Sequence, residues 1–236
     1  MVSESLYVGA YWPARAESAG ACAARAVVAF ERLAAVDELL RSWSLKGARR
    51  AAPRLPFDAH VESVLQALTA GRNRRDDDGS VIDALGFSLG VWNGDGADPV
   101  GLSIRCGISA AIPGLSNAVV LTLPANSARS AGLYSRQGTG RLIGALVEAW
   151  EPDWATMTSN SLREAQAVTG GRPVLGYLTY VSAGRGEVPP LPAPFDVERV
   201  SAGSLISVDD DFAAVEPAVV SRLSAMLGPN LLRPST

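Results

Sequence analysis

Histidine, cysteine and an excess of charge of either sign are all scarce in this chain of 236 residues. It has one histidine, two cysteines and a formal net charge of −3. A single histidine excludes metal sites built on several histidines, and Cys22 and Cys106 form neither a disulfide framework nor a metal-binding spacing. Their small number favours a reducing compartment. The charge argues against direct binding of nucleic acid, which usually requires a basic face.

Long apolar runs are missing as well. No uncharged apolar run approaches the roughly 18 residues needed to span a bilayer. The start MVSESLYVGAYW lacks a basic region followed by an apolar one, so no signal peptide is predicted. Hydrophobic residues make up 47% of the chain and charged residues 19%, which is an ordinary globular composition. We therefore expect a soluble cytoplasmic protein without membrane contact.

The hydrophobic periodicity predicts an irregular order of helices and strands. Helical stripes favour helices at about 18–42, 61–68, 138–150 and 217–227. Period-two alternation favours strands at 5–12, 85–92, 101–109, 117–124, 154–159, 174–182 and 203–208. Short turns between the strands of 85–124 predict an antiparallel meander. The sequence thus predicts an α+β fold, with a mixed, mainly antiparallel sheet flanked by about four helices in a single domain spanning 1–236.

For the second helix the sequence predicts both the N-cap residue and the buried side chains. Asp58 is expected to cap its N-terminus. Its buried stripe is predicted to consist of Val61, Val64, Leu65 and Leu68.

The segment GTGRLIG (138–144) partly matches a dinucleotide-binding fingerprint. Gly138 and Gly140 fit, but Ile143 occupies the third glycine position and Gly144 comes one residue late. The fingerprint also requires a strand directly before it, whereas the preceding residues are polar and loop-like. A glycine-rich helix start is favoured, and a small-ligand or nucleotide-binding module remains an alternative.

Nucleophilic catalysis finds little support. GFSLG (86–90) has the letters of a nucleophile elbow around Ser88, but it lies inside an alternating strand and no histidine follows it. His60 has no partner in the sequence with which to form a catalytic relay. A strand serine and a half-exposed surface histidine are the favoured interpretations.

Acidic residues form two short runs, Asp76–Asp78 and Asp209–Asp211. Neither has the spacing of a calcium-binding loop. Solvated loop charge is the simplest interpretation. The functional alternative is that they attract a basic partner surface, such as that of a nuclease, and speed its capture.

The segment AWEPDWATMTS (149–159) raises the possibility of a paired-carboxylate site. Trp150 falls on the apolar stripe of the third helix, and Pro152 disfavours helical geometry at Glu151, so the helix is expected to end there. Trp154 then begins a strand. A glycosidase would need the carboxyls of Glu151 and Asp153 across one cleft, about 5–9.5 Å apart, which a tight proline turn makes difficult. A glycosidase-like hydrolase remains the enzymatic alternative.

The order of several short motifs resembles the Immunity protein 52 family, whose members are immunity proteins of bacterial polymorphic toxin and type VI secretion systems. The motifs are YVGAYW, the helix up to RSW, EPDWATMTS and GYLTYVS, and the resemblance covers roughly 5–208. The matched positions are Tyr11, Trp12, Trp43, Glu151, Pro152, Asp153, Trp154, Gly176, Tyr177 and Tyr180.

The resemblance implies a cytoplasmic antitoxin, not an enzyme, that binds a cognate toxin. The toxins associated with the family are predicted nucleases of restriction-endonuclease-like fold. The resemblance supplies no catalytic residue, cofactor or metal site. Aromatic and acidic residues are the expected contacts with the toxin, because Trp and Tyr anchors tend to dominate such interfaces and acidic patches complement a basic partner surface. The candidates are Trp92, Asp95, Asp98, Asp153 and Trp154.

Overall fold

The fold is described from a computed structural model. It describes residues 6–45, 55–112, 114–168, 171–200, 202–209, 212 and 215–234. Within them the strands are β1 Leu6–Trp12, β2 Trp43–Leu45, β3 Leu55–Phe57, β4 Phe87–Trp92, β5 Gly101–Cys106, β6 Asn117–Thr122, β7 Trp154–Ser159, β8 Leu178–Ser182, β9 Asp196–Val200 and β10 Gly203–Ser207. The α-helices are α1 Ala19–Val36, α2 Val61–Ala70, α3 Arg136–Trp150, α4 Asn160–Ala165 and α5 Pro217–Leu231.

All ten strands join one sheet in the order β3-β2-β4-β5-β6-β1-β7-β8-β10-β9. Every neighbouring pair in that order is antiparallel. The predicted α+β class and the meander of β4, β5 and β6 are therefore confirmed. That residues 1–236 form a single domain stays a prediction. Among the described residues, no helix is both long enough and apolar enough to cross a membrane.

Two faces of the sheet carry different helices. Val8, Ala10 and Trp12 of β1 lie in a large core cluster with the buried stripes of α1, α2 and α3; we call this the inner face. Val181 and Ile206 alternate with inner-face neighbours along β8 and β10, so they belong to the opposite, outer face. There they pack with α5 in a second cluster. The predicted stripe of α5, which includes Val220, Leu223 and Leu227, is buried.

The first helix is shorter than predicted. Ser18 caps its N-terminus by accepting a hydrogen bond from Ala21 N. It ends at Val36 because Asp37 adopts an extended conformation and accepts from Leu39 N, which starts a short 3₁₀ turn. The prediction of a helix through residue 42 was wrong beyond Val36. The chain instead continues into β2, which pairs with β3 and β4.

The details expected of α2 also need correction. His60, not Asp58, is the N-cap residue, and it makes no side-chain capping hydrogen bond. The carboxylate of Asp58 lies 3.4 Å from His60 Nε2 instead. Val64 and Leu68 are buried as predicted, but Val61 and Leu65 are exposed. A helix packed at the rim of the core against α1 and β4 buries only a narrow stripe.

Candidate functional site

The segment after α3 forms a corner that ties three strands together. Trp150 is fully buried and stacks on Trp12 with ring centroids 5.2 Å apart, so its predicted place in the core is confirmed. Glu151, which precedes Pro152, adopts a left-handed conformation with φ 49° and ψ 55°, and this ends the helix as expected. Asp153 N donates to Tyr11 O at 2.9 Å, and Ser182 N donates to Asp153 O at 3.0 Å. The corner therefore links β7 to β1 and to the end of β8.

Two arginines satisfy the last carbonyls of α3. Both terminal nitrogens of Arg15 donate to Trp150 O at 3.1 Å, and Arg25 donates to Ala149 O at 3.0 Å. Glu17 accepts from the Nε atoms of both arginines, at 2.9 and 2.7 Å. Cations at a helix C-terminus also interact favourably with its dipole. Local sequence patterns do not predict this cap because Arg15 and Arg25 precede α3 by more than 100 residues.

The two carboxylates of the corner are bound to arginines on opposite faces of the sheet. Glu151 pairs with Arg25 of α1 at 2.8 Å, on the inner face. Asp153 pairs at 3.3 Å with Arg185, which also donates to Leu231 O at the end of α5 on the outer face. They therefore do not flank one cleft, and this geometry gives no support to a glycosidase-like pair.

Asp153 lies beside a buried positive charge. Arg185 is 4% exposed, and its guanidinium donates to Leu231 O at 2.8 Å and to Arg233 O at 2.7 Å. Burial lowers the pKa of Arg185, while the nearby Asp153 carboxylate opposes that change. The side chain of Asp153 keeps 32% of its surface exposed. It therefore balances a buried cation and still has surface that a partner could contact.

Trp154 packs within the outer face of the sheet. It is 5% exposed and stacks on Tyr11 with ring centroids 4.2 Å apart. The Tyr11 ring lies over Gly9, since a Cβ at Gly9 would come within 2.4 Å of the tyrosine hydroxyl. Burial raises the pKa of Tyr11. The indole therefore offers a partner little surface.

The other candidates lie in and beside the turn between β4 and β5. Asp95 accepts hydrogen bonds from Asp98 N and Ala97 N, which together with Arg129 lower its pKa to about 2. Asp98 is only 8% exposed and accepts from Ser127 Oγ at 2.9 Å. Both carboxylates therefore hold this turn against the loop around Arg129. Trp92 is half-buried at the end of β4.

The five candidates form two groups rather than one patch. Trp92 and Trp154 share the outer face, but the register places Trp92 in the row of Tyr7 and Trp154 in the row of Tyr11. Four strand spacings of about 4.8 Å and four residues of about 3.3 Å separate them, or roughly 23 Å. One small partner segment could not contact both groups.

Other predicted features have simple structural places. Ser88 is the second residue of β4 and donates to Gly71 O at 2.6 Å, and His60 is exposed. Asp76–Asp78 are exposed, and of the second acidic run Asp210 and Asp211 lie outside the described residues. No cluster of three or more His, Cys, Asp or Glu side chains suited to a metal ion occurs in the part of the chain that the structure describes.

The glycines of 138–144 have different surroundings. A Cβ at Gly138 would lie 1.9 Å from Gly132 O, whereas at Gly144 it would meet no described atom within 4 Å. The helix is preceded by a 3₁₀ turn instead of a strand, so a requirement of the dinucleotide fingerprint is not met. Its N-terminus is capped by the chain itself, through Gly138 N donating to Ser135 Oγ at 3.0 Å.

A groove that sequence analysis did not predict runs along α3. Its volume is about 430 Å³, and we call it the α3 groove. One wall is α3, with Gly140, Gly144 and Val147, and the other is formed by Leu205 of β10 and Val200 of β9. Glu151 lies at its end. The two walls are about 60 residues apart in the sequence, so local patterns could not reveal it.

Most positions that carry the family resemblance are packing positions. Trp12, Trp43 and Tyr180 are buried. A Cβ at Gly176 would lie 1.9 Å from Met157 O, so only glycine fits beside that strand.

Comparison with known proteins agrees with this fold. A solved structure of the Pseudomonas aeruginosa T6SS protein PA0821 superposes with a TM-score of 0.51 at 14% sequence identity, covering 94% of this chain and 75% of that one. This similarity shows a shared fold. No curated protein matches the sequence. The family model for Immunity protein 52 matches residues 4–231. The chain therefore belongs to the Immunity protein 52 family of immunity proteins.

Proposed function

We propose that this protein neutralises a cognate nuclease toxin of restriction-endonuclease-like fold by binding it stoichiometrically. The observation that carries the proposal is the family match, which spans residues 4–231. A nuclease that cuts DNA must be stopped where the DNA is, so the cytoplasm is the expected site of action. The free, buried thiols of Cys22 and Cys106 are compatible with a reducing compartment.

Inhibition by binding, instead of turnover, agrees with the chemistry of the described residues. The carboxylates that could have acted as acid and base are bound to Arg25 and Arg185 on opposite faces. Ser88 donates its hydroxyl hydrogen to a main-chain carbonyl. These groups therefore stabilise the fold.

The charge of the protein supports a basic partner. The net charge is −3, and Asp76–Asp78 present three exposed carboxylates next to Arg74 and Arg75. A nuclease binds the phosphate backbone with a basic surface, so complementary charge would accelerate association. Of the candidate contacts, Trp92, Asp95 and Asp153 have surface available to a toxin. Asp98 and Trp154 would act mainly by fixing the shape around them.

The test uses the toxin domain encoded beside the gene for this chain. Co-expression should restore growth and keep the DNA intact, and the two proteins should co-purify. In a nuclease assay with purified proteins, the activity of the toxin should fall linearly as immunity protein is added. It should reach zero when the two proteins are equimolar.

Two results would contradict the proposal. Absence of both rescue and complex would remove the immunity function for that toxin. Complete inhibition at a small fraction of the toxin concentration would instead indicate turnover.

A further inference from the structure

The α3 groove exposes apolar surface that the described part of the chain leaves uncovered. α1 packs against α3 on its other side, while α5 packs on the outer face against β8 and β10. Val147, Val200 and Leu205 pack against the core but remain half-exposed at the groove. The groove is a concave space of about 430 Å³ lined by half-exposed apolar side chains. These are features of a binding site.

Two glycines of α3 widen this groove without being required by the fold. A Cβ at Gly140 would lie 3.8 Å from Leu205 and 4.0 Å from Leu178, which is ordinary contact, and at Gly144 it would lie in open space. Glycine in a helix interior is destabilising relative to alanine. Internal packing therefore explains Gly138 but not Gly144. Close approach of the backbone of a partner protein would explain a glycine at position 144.

The charged side chains that line the groove are acidic. Among the described residues that line it, the two charged ones are Glu148 and Glu151. Their side chains are 53% and 70% exposed. Their partners, Arg32 and Arg25, lie on α1 outside the groove lining. A carboxylate can accept several hydrogen bonds, so each glutamate could also bind a cation from a partner.

We propose that the α3 groove is the docking site for a helix of the toxin. The toxin helix would place large apolar side chains between the two walls, and its flanking lysine or arginine residues would contact Glu148 and Glu151. Gly140 and Gly144 are one helical turn apart on one face, which allows a second helix to approach closely. The proposal rests on the proposed function, because the basic character of the partner follows from its action on nucleic acid.

The direct test is a substitution that places a large side chain in the groove. Gly144→Leu places a side chain in open space and should leave the fold intact, so thermal unfolding of the variant should match or exceed that of the wild type. Its affinity for a catalytically inactive form of the neighbouring gene's toxin, measured by calorimetry, should fall by at least ~30-fold, as for loss of a hot spot. The matched control is Gly20→Leu. Gly20 is an exposed helical glycine of α1 whose nearest neighbour would be Ser18 Oγ at 3.9 Å, and its variant should bind like the wild type.

The possible outcomes distinguish a failure of the groove proposal from a failure of the proposed immunity function. If the wild type binds and Gly144→Leu binds within threefold of it, the groove proposal is overturned and the immunity function stands. If Gly144→Leu and Gly20→Leu lose affinity equally, the groove is again not the site. If the wild type does not bind, the proposed function itself fails.

The charge match has its own test. The double variant Glu148→Gln, Glu151→Gln should weaken binding about tenfold at low salt, mainly through the association rate, because charge at an interface rim acts mostly on encounter. Its control is Glu62→Gln with Glu164→Gln, two exposed glutamates outside the groove. Equal effects of the two double variants would contradict a local charge match.

Discussion

Replacing Trp154 by alanine tests whether the corner packs the fold or contacts the toxin. The indole is 5% exposed and stacked on Tyr11. A buried tryptophan removes about 200 Å² from water, worth about 5 kcal/mol at about 25 cal/mol per Å². Denatured chains already bury part of that surface, and measured losses for Trp→Ala are typically about 3–5 kcal/mol. We expect the free energy of unfolding to fall by about 4 kcal/mol.

The measurement is urea denaturation followed by far-UV circular dichroism. Trp154→Phe should lose only about 1–2 kcal/mol because an aromatic ring can still stack on Tyr11. Trp92→Ala is the matched control on the same face, and it should lose less than Trp154→Ala since Trp92 is only half-buried. The affinity of the folded fraction of Trp154→Ala for the toxin should stay within about threefold of the wild type.

The opposite pattern would refute this reasoning. If Trp154→Ala lost less than about 1 kcal/mol of stability and its affinity fell more than tenfold, the indole would be an interface anchor and its burial in the free protein would be misleading. A large loss of stability together with unchanged affinity would place Trp154 among packing residues.

Three further predictions concern single substitutions. Gly138→Ala should lower the thermal midpoint by clashing with a main-chain oxygen, whereas Gly144→Ala should raise the free energy of unfolding by up to about 1 kcal/mol. Asp153→Ala should lower that free energy by about 1–3 kcal/mol because the buried Arg185 loses its carboxylate, and urea denaturation of this variant measures the loss. The pKa of Asp95 is lowered to about 2. Its ionised carboxylate therefore stabilises the fold fully at pH values above the ordinary aspartate pKa of about 4. The difference in urea midpoint between wild type and Asp95→Asn should therefore shrink as pH falls from about 4 towards 2.

Local sequence patterns predicted the parts of the fold that depend on neighbouring residues. The stripe that places Trp150 in the core and the proline that ends α3 act within one or two turns of the chain. Alternation over 85–124 predicted the meander for the same reason. The short strands β2, β3 and β9 and the short helix α4 were missed. β2 has only three residues, and β9 is an edge strand of mostly exposed residues.

The candidate site could not be predicted from local sequence patterns. GTGRLIG contains three glycines, and their order in the sequence does not show which of them opens onto a groove. Gly138 packs against Gly132 O of the turn before α3, whereas the groove beside Gly140 and Gly144 exists only because β9 and β10, about 60 residues further along the chain, form its other wall. Likewise, Asp98 and Trp154 looked like surface anchors by residue type. Ser127 and Tyr11, the partners that bury them, come from other strands or loops.

The corner and the groove are linked through α3. Ser135 fixes the start of this helix, and Arg15 and Arg25 fix its end. The same end places Glu151 at the groove. A wall held at both ends loses little conformational freedom when a partner binds, and such preorganisation increases affinity without adding contacts. The family motif at the corner can therefore serve toxin binding while its aromatic side chains stay inside the fold.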